Sequence, residues 1–228
     1  MSSHWKSGLL LAVLALGSLG RAQTTAWSIS GDFSATANPN GPWNFGWSGT
    51  PAGALTPFTL LPTGNALTQW SAQFDRFNTP TLVHNATSAT VSPGGTALPY
   101  AAGASVLHPG PNGEFAIAQW TAPIAGTFAL ATAFSNGDTV GATTDISVLR
   151  NSTVLGTGSV TFGTSYLFSA NPVTLAPGDT LRFVVGNGGN GHNFDSTFVS
   201  AQITALAVPE PSTWMLVVAV GQLRRRRR

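Results

Sequence analysis

Between residues 24 and 207 the chain is written in short alternating runs. Phe128-Ala129-Leu130-Ala131-Thr132-Ala133-Phe134 sets its large side chains at every second position. That period places them on one face of a β-strand, because successive strand side chains point to opposite faces. Thr180-Leu181-Arg182-Phe183-Val184-Val185 repeats the pattern directly after Ala176-Pro177-Gly178-Asp179, a four-residue turn signal. Val199, Ala201, Ile203 and Ala205 mark the inward face of a last strand. Ile146-Ser147-Val148-Leu149 and Thr153-Val154-Leu155 flank Arg150-Asn151-Ser152 and predict a hairpin. No stretch of the body sustains a 3.6-residue apolar period. The expectation is an all-β fold, an antiparallel β-sandwich of jelly-roll-like design.

Composition adds the means to pack it. Only 8% of the 228 residues are charged, yet 43% are hydrophobic, with 13 Phe and 7 Trp. Disordered chains lack such residues, so a core is affordable, and the 26 Gly and 15 Pro serve turns. Residues 24–110 are rich in aromatics, Asn and Pro with longer loops, whereas residues 114–207 form a regular ladder. We read one sandwich whose early strands complete both sheets. No internal repeat is visible.

The basic sequence pI of 9.7 misleads about partners. Five of the ten basic residues are Arg224 to Arg228, and Lys6 and Arg21 stand near the start. The body keeps three arginines against seven acids, a net −4. Such a body has no electrostatic footprint for nucleic acid, and that class is set aside. The absence of cysteine excludes disulfides, thiolate metal sites and a Cys nucleophile.

The two ends have their own chemistry. Residues 1–7 carry one Lys, residues 8–20 are apolar (GLLLAVLALGSLG), and Gly20-Arg21-Ala22 offers small residues to a signal peptidase. Thirteen apolar residues are short for a bilayer-spanning helix, which needs about 20. Residues 1–22 therefore read as a secretory signal, residues 23–207 as the body and residues 208–228 as a sorting segment. In that last segment Pro209-Glu210-Pro211 stiffens a spacer. An apolar run follows from Thr213 to Leu223, then Arg224, Arg225, Arg226, Arg227 and Arg228. Arginines favour the cytoplasmic side, so the body would sit on the opposite face of a transiently occupied inner membrane.

This segment resembles the PEP-CTERM tail of exported proteins in Gram-negative bacteria. The resemblance implies processing by an exosortase-type enzyme near Pro209-Glu210-Pro211, loss of the arginines, and delivery to the cell surface or its exopolysaccharide matrix. The apolar run of eleven residues, which includes Gln222, is short even for this family. Within the body, residues 33–47, 108–114 and 186–191 resemble other PEP-CTERM bodies. In general style they are also similar to carbohydrate-binding, galactose-binding-like jelly rolls.

Sugars are held by flat aromatic faces with amides and carboxylates reading their hydroxyls. Trp43 and Trp47, beside Asn40 and Asn44, fit that description if exposed; the alternative is that both are core plugs. Trp70 and Trp120 sit in alternating runs and are expected in the core. Gly186-Asn187-Gly188-Gly189-Asn190-Gly191, followed by His192, Asn193 and Asp195, offers backbone groups to a ligand. It lacks the Lys and helix of a phosphate loop. Its alternative is a plain inter-strand loop with Asn in left-handed conformations. The candidate ligand residues are thus Trp43, Asn44, Trp47, Asn187 and Asp195.

No cofactor is implied, though a structural calcium has oxygen candidates in Asp138, Asp145, Asp179 and Asp195. His84, His108 and His192 lack the spacing of a zinc protease. A glycosidase pair would have to combine Glu114 with Asp138 or Asp145, and no G-x-S-x-G elbow exists. The expected function is a non-enzymatic surface or matrix protein associating with exopolysaccharide. A structural envelope component without a ligand site, or a secreted glycan-active enzyme, are the alternatives.

Overall fold

The computed structural model describes residues 25–206, apart from residues 62, 64–65, 74–78, 94–97 and 139–140. The expected leader (residues 1–22) and the sorting segment with Pro209, Glu210, Pro211 and Arg224 to Arg228 lie outside the described residues. Among the described residues the chain forms strands and no helix. The first seven strands are β1 (Ala26–Ser28), β2 (Trp43–Ser48), β3 (Thr56–Pro57), β4 (Thr59–Leu61), β5 (Thr68–Ser71), β6 (Thr81–His84) and β7 (Ser105–His108). The longer ladder follows as β8 (Phe115–Thr121), β9 (Gly126–Asn136), β10 (Thr143–Arg150), β11 (Thr153–Thr161), β12 (Ser165–Leu175), β13 (Thr180–Val185) and β14 (Thr197–Ala205).

Two antiparallel sheets face each other. The eight-stranded sheet runs β12-β9-β14-β7-β6-β5-β4, with β1 also on β14; the six-stranded sheet runs β11-β10-β13-β8-β2-β3. The early strands therefore enter both sheets. The later ones cross repeatedly from one sheet to the other, giving the jelly-roll-like sandwich that the alternation predicts. Phe128, Leu130 and Phe134 of β9 are buried while Ala131 is exposed. Trp43, Phe45, Trp120 and Phe183 supply the facing layer from the six-stranded sheet. Each large ring removed from water contributes about 1.5–3 kcal/mol.

The hairpin expected at Arg150-Asn151-Ser152 forms between β10 and β11. Arg150 pairs with Thr153, so the turn is Asn151-Ser152, one residue tighter than the three expected. Asn151 adopts φ 53°, a left-handed conformation that Asn tolerates. On β11, Gly156 lets β12 close the side of the sandwich. A Cβ there would stand 2.6 Å from the Phe168 ring, and Gly158 meets Tyr166 in the same way.

The outer faces are covered unequally. Residues 49–55 lie over the six-stranded sheet, held by Arg182, which donates to the Pro51 carbonyl (3.3 Å), the Gly53 carbonyl (2.6 Å) and Gln119 Oε1 (2.8 Å). The segment between β6 and β7 covers part of the eight-stranded sheet with a second apolar cluster around Leu98, Tyr100 and Val106. The outer face of β9 and β12 stays open. Residues 109–114, 137–138, 141–142 and 186–196 gather at one pole. At the opposite pole the Ala205 amide donates to the Thr25 carbonyl at 2.8 Å, so both ends of the body leave side by side.

Candidate functional site

The aromatic segment folds inward. Strand β2 turns Trp43, Phe45 and Trp47 toward the other sheet. Trp43 is wholly buried, stacks on Phe45 at 6.2 Å, and donates from Nε1 to Asp32 Oδ2 at 3.1 Å. It cannot offer a face to a sugar, so the ligand role considered for it is corrected to that of a core plug. Trp47 is half-buried and packs against the same core. Asn44 faces outward on β2 but beneath residues 49–55, in one row with Gln119 and Arg182, and its Oδ1 is buried without a hydrogen-bond partner. Asn40 spends its amide on the Asp32 carbonyl at 2.9 Å. Asn38, not singled out from sequence, accepts from the Phe45 amide and donates to the Phe45 and Phe58 carbonyls, which holds this segment in place. Trp70 and Trp120 are core residues as expected.

The glycine-rich loop stands elsewhere. Asn187 is half-buried at the loop pole, its Oδ1 accepting from the Gly189 amide at 3.1 Å. The left-handed positions are Gly188, Gly189, Gly191 and Phe194 (φ 64°), not the asparagines. Phe194 nonetheless leaves its ring half in solvent. Asp195 is wholly buried; its Oδ1 accepts from the Thr143 amide at 3.1 Å, and its Oδ2 has no hydrogen-bond partner. Desolvation, with the negative charges of Asp138 and Asp145 nearby, pushes its pKa up to about 6. A group so enclosed is unreachable to a ligand.

Three of the four calcium candidates thus share one pole, while Asp179 sits at the other and binds Arg150 and Asn151. Asp138 accepts from the Ser196 amide (2.7 Å) and Asp145 from the Gly188 amide (2.8 Å), so both carboxylates staple loops. Among the described residues no group of three or more His, Cys, Asp or Glu side chains is arranged to hold a metal ion. His108 and His192, distant in sequence, meet with ring centroids 5.9 Å apart. His84 is a core residue stacked on Phe33 at 3.9 Å, its pKa lowered to about 4 by burial. Burial works to raise the pKa of Glu114, but hydrogen bonds from Asn112 and the neighbouring His192 hold it below the usual value. The acid of a glycosidase needs the reverse shift.

The concavity missed from sequence is a groove of about 900 Å³ on the outer face of the eight-stranded sheet. Its floor is β9, bare because Ala131, Ala133 and Ser135 are small. Register sets three rungs across it: Gln202-Ala131-Ser169, Ser200-Ala133-Leu167, and Phe198-Ser135. Leu167, 73% exposed, walls one side. Phe198, resting edge-on against Tyr100 at 6.1 Å, and the segment 101–104 wall the other. Ser28 and Ser30 add hydroxyls at the end of β1. The lining alternates hydroxyls and one amide with small apolar surfaces. Sequence reasoning passed over it because alternating Ala and Ser reads as an ordinary outward face; only the covering segment makes it concave.

No family model matches the chain, and no curated protein does. Among solved structures, similarity is found to CBM51 from Clostridium perfringens GH95 in complex with methyl-galactose. The identity is 15%, the TM-score 0.34, and the match covers 51% of this chain and 80% of that one. The CBM36-1 domain of a multidomain xylanase from the hindgut metagenome of Trinervitermes trinervoides matches at 11% identity and TM-score 0.33, covering 57% and 99%. A family 35 carbohydrate binding module from an environmental isolate matches at 15% and 0.33, covering 56% and 98%. Likenesses this distant carry no argument about what this chain does.

Proposed function

We propose that this is an exported, non-enzymatic cell-surface or extracellular-matrix protein, sorted by an exosortase-type enzyme, whose sandwich binds exopolysaccharide in the groove over β9. The groove carries the reading. Its volume lies in the upper part of the range for ligand sites, about 300–1,000 Å³. Hydroxyls of Ser28, Ser135, Ser169 and Ser200 both donate and accept, as sugar hydroxyls do, and the Gln202 amide offers each function separately. Ala131, Ala133 and Leu167 supply the apolar contact that C–H faces require. Export and sorting rest on residues 1–22, Pro209-Glu210-Pro211 and the terminal arginines. The membrane association of the tail is transient in this reading.

A glycan array probed with the full-length chain tests it. Ala133→Trp fills the groove from an outward, half-exposed position, so it should abolish binding and leave the melting temperature nearly unchanged. A bound glycan that the Trp variant retains would move the site off β9. The absence of any bound glycan leaves the sandwich as a structural part.

A further inference from the structure

On the reading that the groove is a glycan site, we infer that its ligand is an uncharged polysaccharide, taken as a run of several sugars along β9. The eight strands of this sheet contain no Asp, Glu, Lys or Arg. Every charge of the described body lies on the other sheet or in loops. Arg182 is committed on the far face to Pro51, Gly53 and Gln119, and Arg150 to Asp179 at the end pole. Asp138, Asp145, Asp195 and Glu114 stand at the loop pole. A polyanion entering the groove would meet no cation among the described residues and would approach a body of net −4. Sulfated or uronate chains are therefore disfavoured by the field and unread by the lining. A neutral chain has only hydroxyls to satisfy, which Ser and Gln do.

Shape points to a run of sugars rather than one. The floor from Ala131 to Ser135 spans four strand steps, about 13 Å, with rungs repeating about every 6.6 Å. No wall closes across β9, since its outward side chains there are the small Ala131, Ala133 and Ser135. The trough is a channel along the strand.

Affinity electrophoresis of the chain with Arg224 to Arg228 replaced by Gln, so that the tail adds no cations, through neutral dextran or mannan and anionic alginate or polygalacturonate, at low and high salt, tests the inference. Retention by a neutral polymer, unchanged by salt, is the expected result, because screening acts on charges alone. Ala131→Arg puts a cation on the exposed floor. It should weaken neutral binding roughly tenfold and create salt-sensitive retention by the anionic polymers. Gln202→Ala, a change that leaves the fold no reason to shift, should weaken neutral binding without creating anionic retention. Salt-sensitive preference of this chain with its groove unaltered for anionic polymers, or equal retention by both classes, overturns neutrality while the glycan reading stands. Retention by neither class, with glycan arrays also blank, ends both.

Discussion

At Asp195 burial works against a negative charge. Its carboxyl is enclosed, has one backbone donor, and lies near two like charges, so the native state holds its proton up to about pH 6 against an ordinary value of 3.8. The native pKa lies above the unfolded one. Its contribution to stability is therefore complete below about pH 4 and is lost as pH rises through 6. Ionising it in the native state costs on the order of 3 kcal/mol more than in the unfolded chain. Asp195→Asn keeps the acceptor for Thr143 and removes the charge. Thermal melts should show the variant stabilised relative to the parent at pH 8 and nearly equal to it at pH 4. A difference that ignores pH would mean that burial does not shift this carboxyl. Sequence marked Asp195 as a ligand residue because it follows a glycine-rich loop. Whether such a residue points out or in depends on the Thr143 amide, 52 residues away, and local pattern does not carry that.

Strands were more legible than the orientation of aromatic side chains. The run from Thr180 to Val185 is β13 to the residue, and Val199, Ala201 and Ile203 are buried along β14 as their spacing requires. Period-two alternation fails to say which of two faces is buried when both carry apolar groups. In β2 the Trp43-Asn44-Phe45-Gly46-Trp47 series alternates perfectly, and an exposed indole platform and a core stripe share that spelling. Tertiary packing decides it: Trp120, paired with Trp43 in the register of β2 and β8, and Phe183 leave no solvent on that side. Trp43→Ala should therefore destabilise the protein by about 3–5 kcal/mol in denaturant unfolding. It should leave affinity for any groove ligand unchanged, since β2 belongs to the opposite sheet. Loss of glycan binding without loss of stability would restore the indole to a ligand role.

At the scale of the molecule, charge and concavity are separated: one sheet is uncharged and grooved, the other holds both described arginines of the ladder, Arg182 under a loop and Arg150 at the end pole. None of this is written locally, because a groove on a sheet arises from which loop folds back over which strands. The ends, by contrast, are legible only as sequence. If residues 208–228 act as a sorting signal, mass spectrometry of the mature protein from its native cell surface should find a C-terminus near Pro209-Glu210-Pro211; an intact Arg228 there would sink the sorting reading. The pairing of β14 then acquires a mechanical meaning. The tail continues from a strand interior to its sheet, laddered to β9 over the whole length from Thr197 to Ala205 and to β1 and β7 along its other edge. Tension applied at the processed end of that segment would run along the strand axis and load many hydrogen bonds side by side instead of peeling them one at a time. A polymer lying on β9 and β14 pulls on the same two strands, so force would pass from matrix to tether without crossing the apolar layer between the sheets.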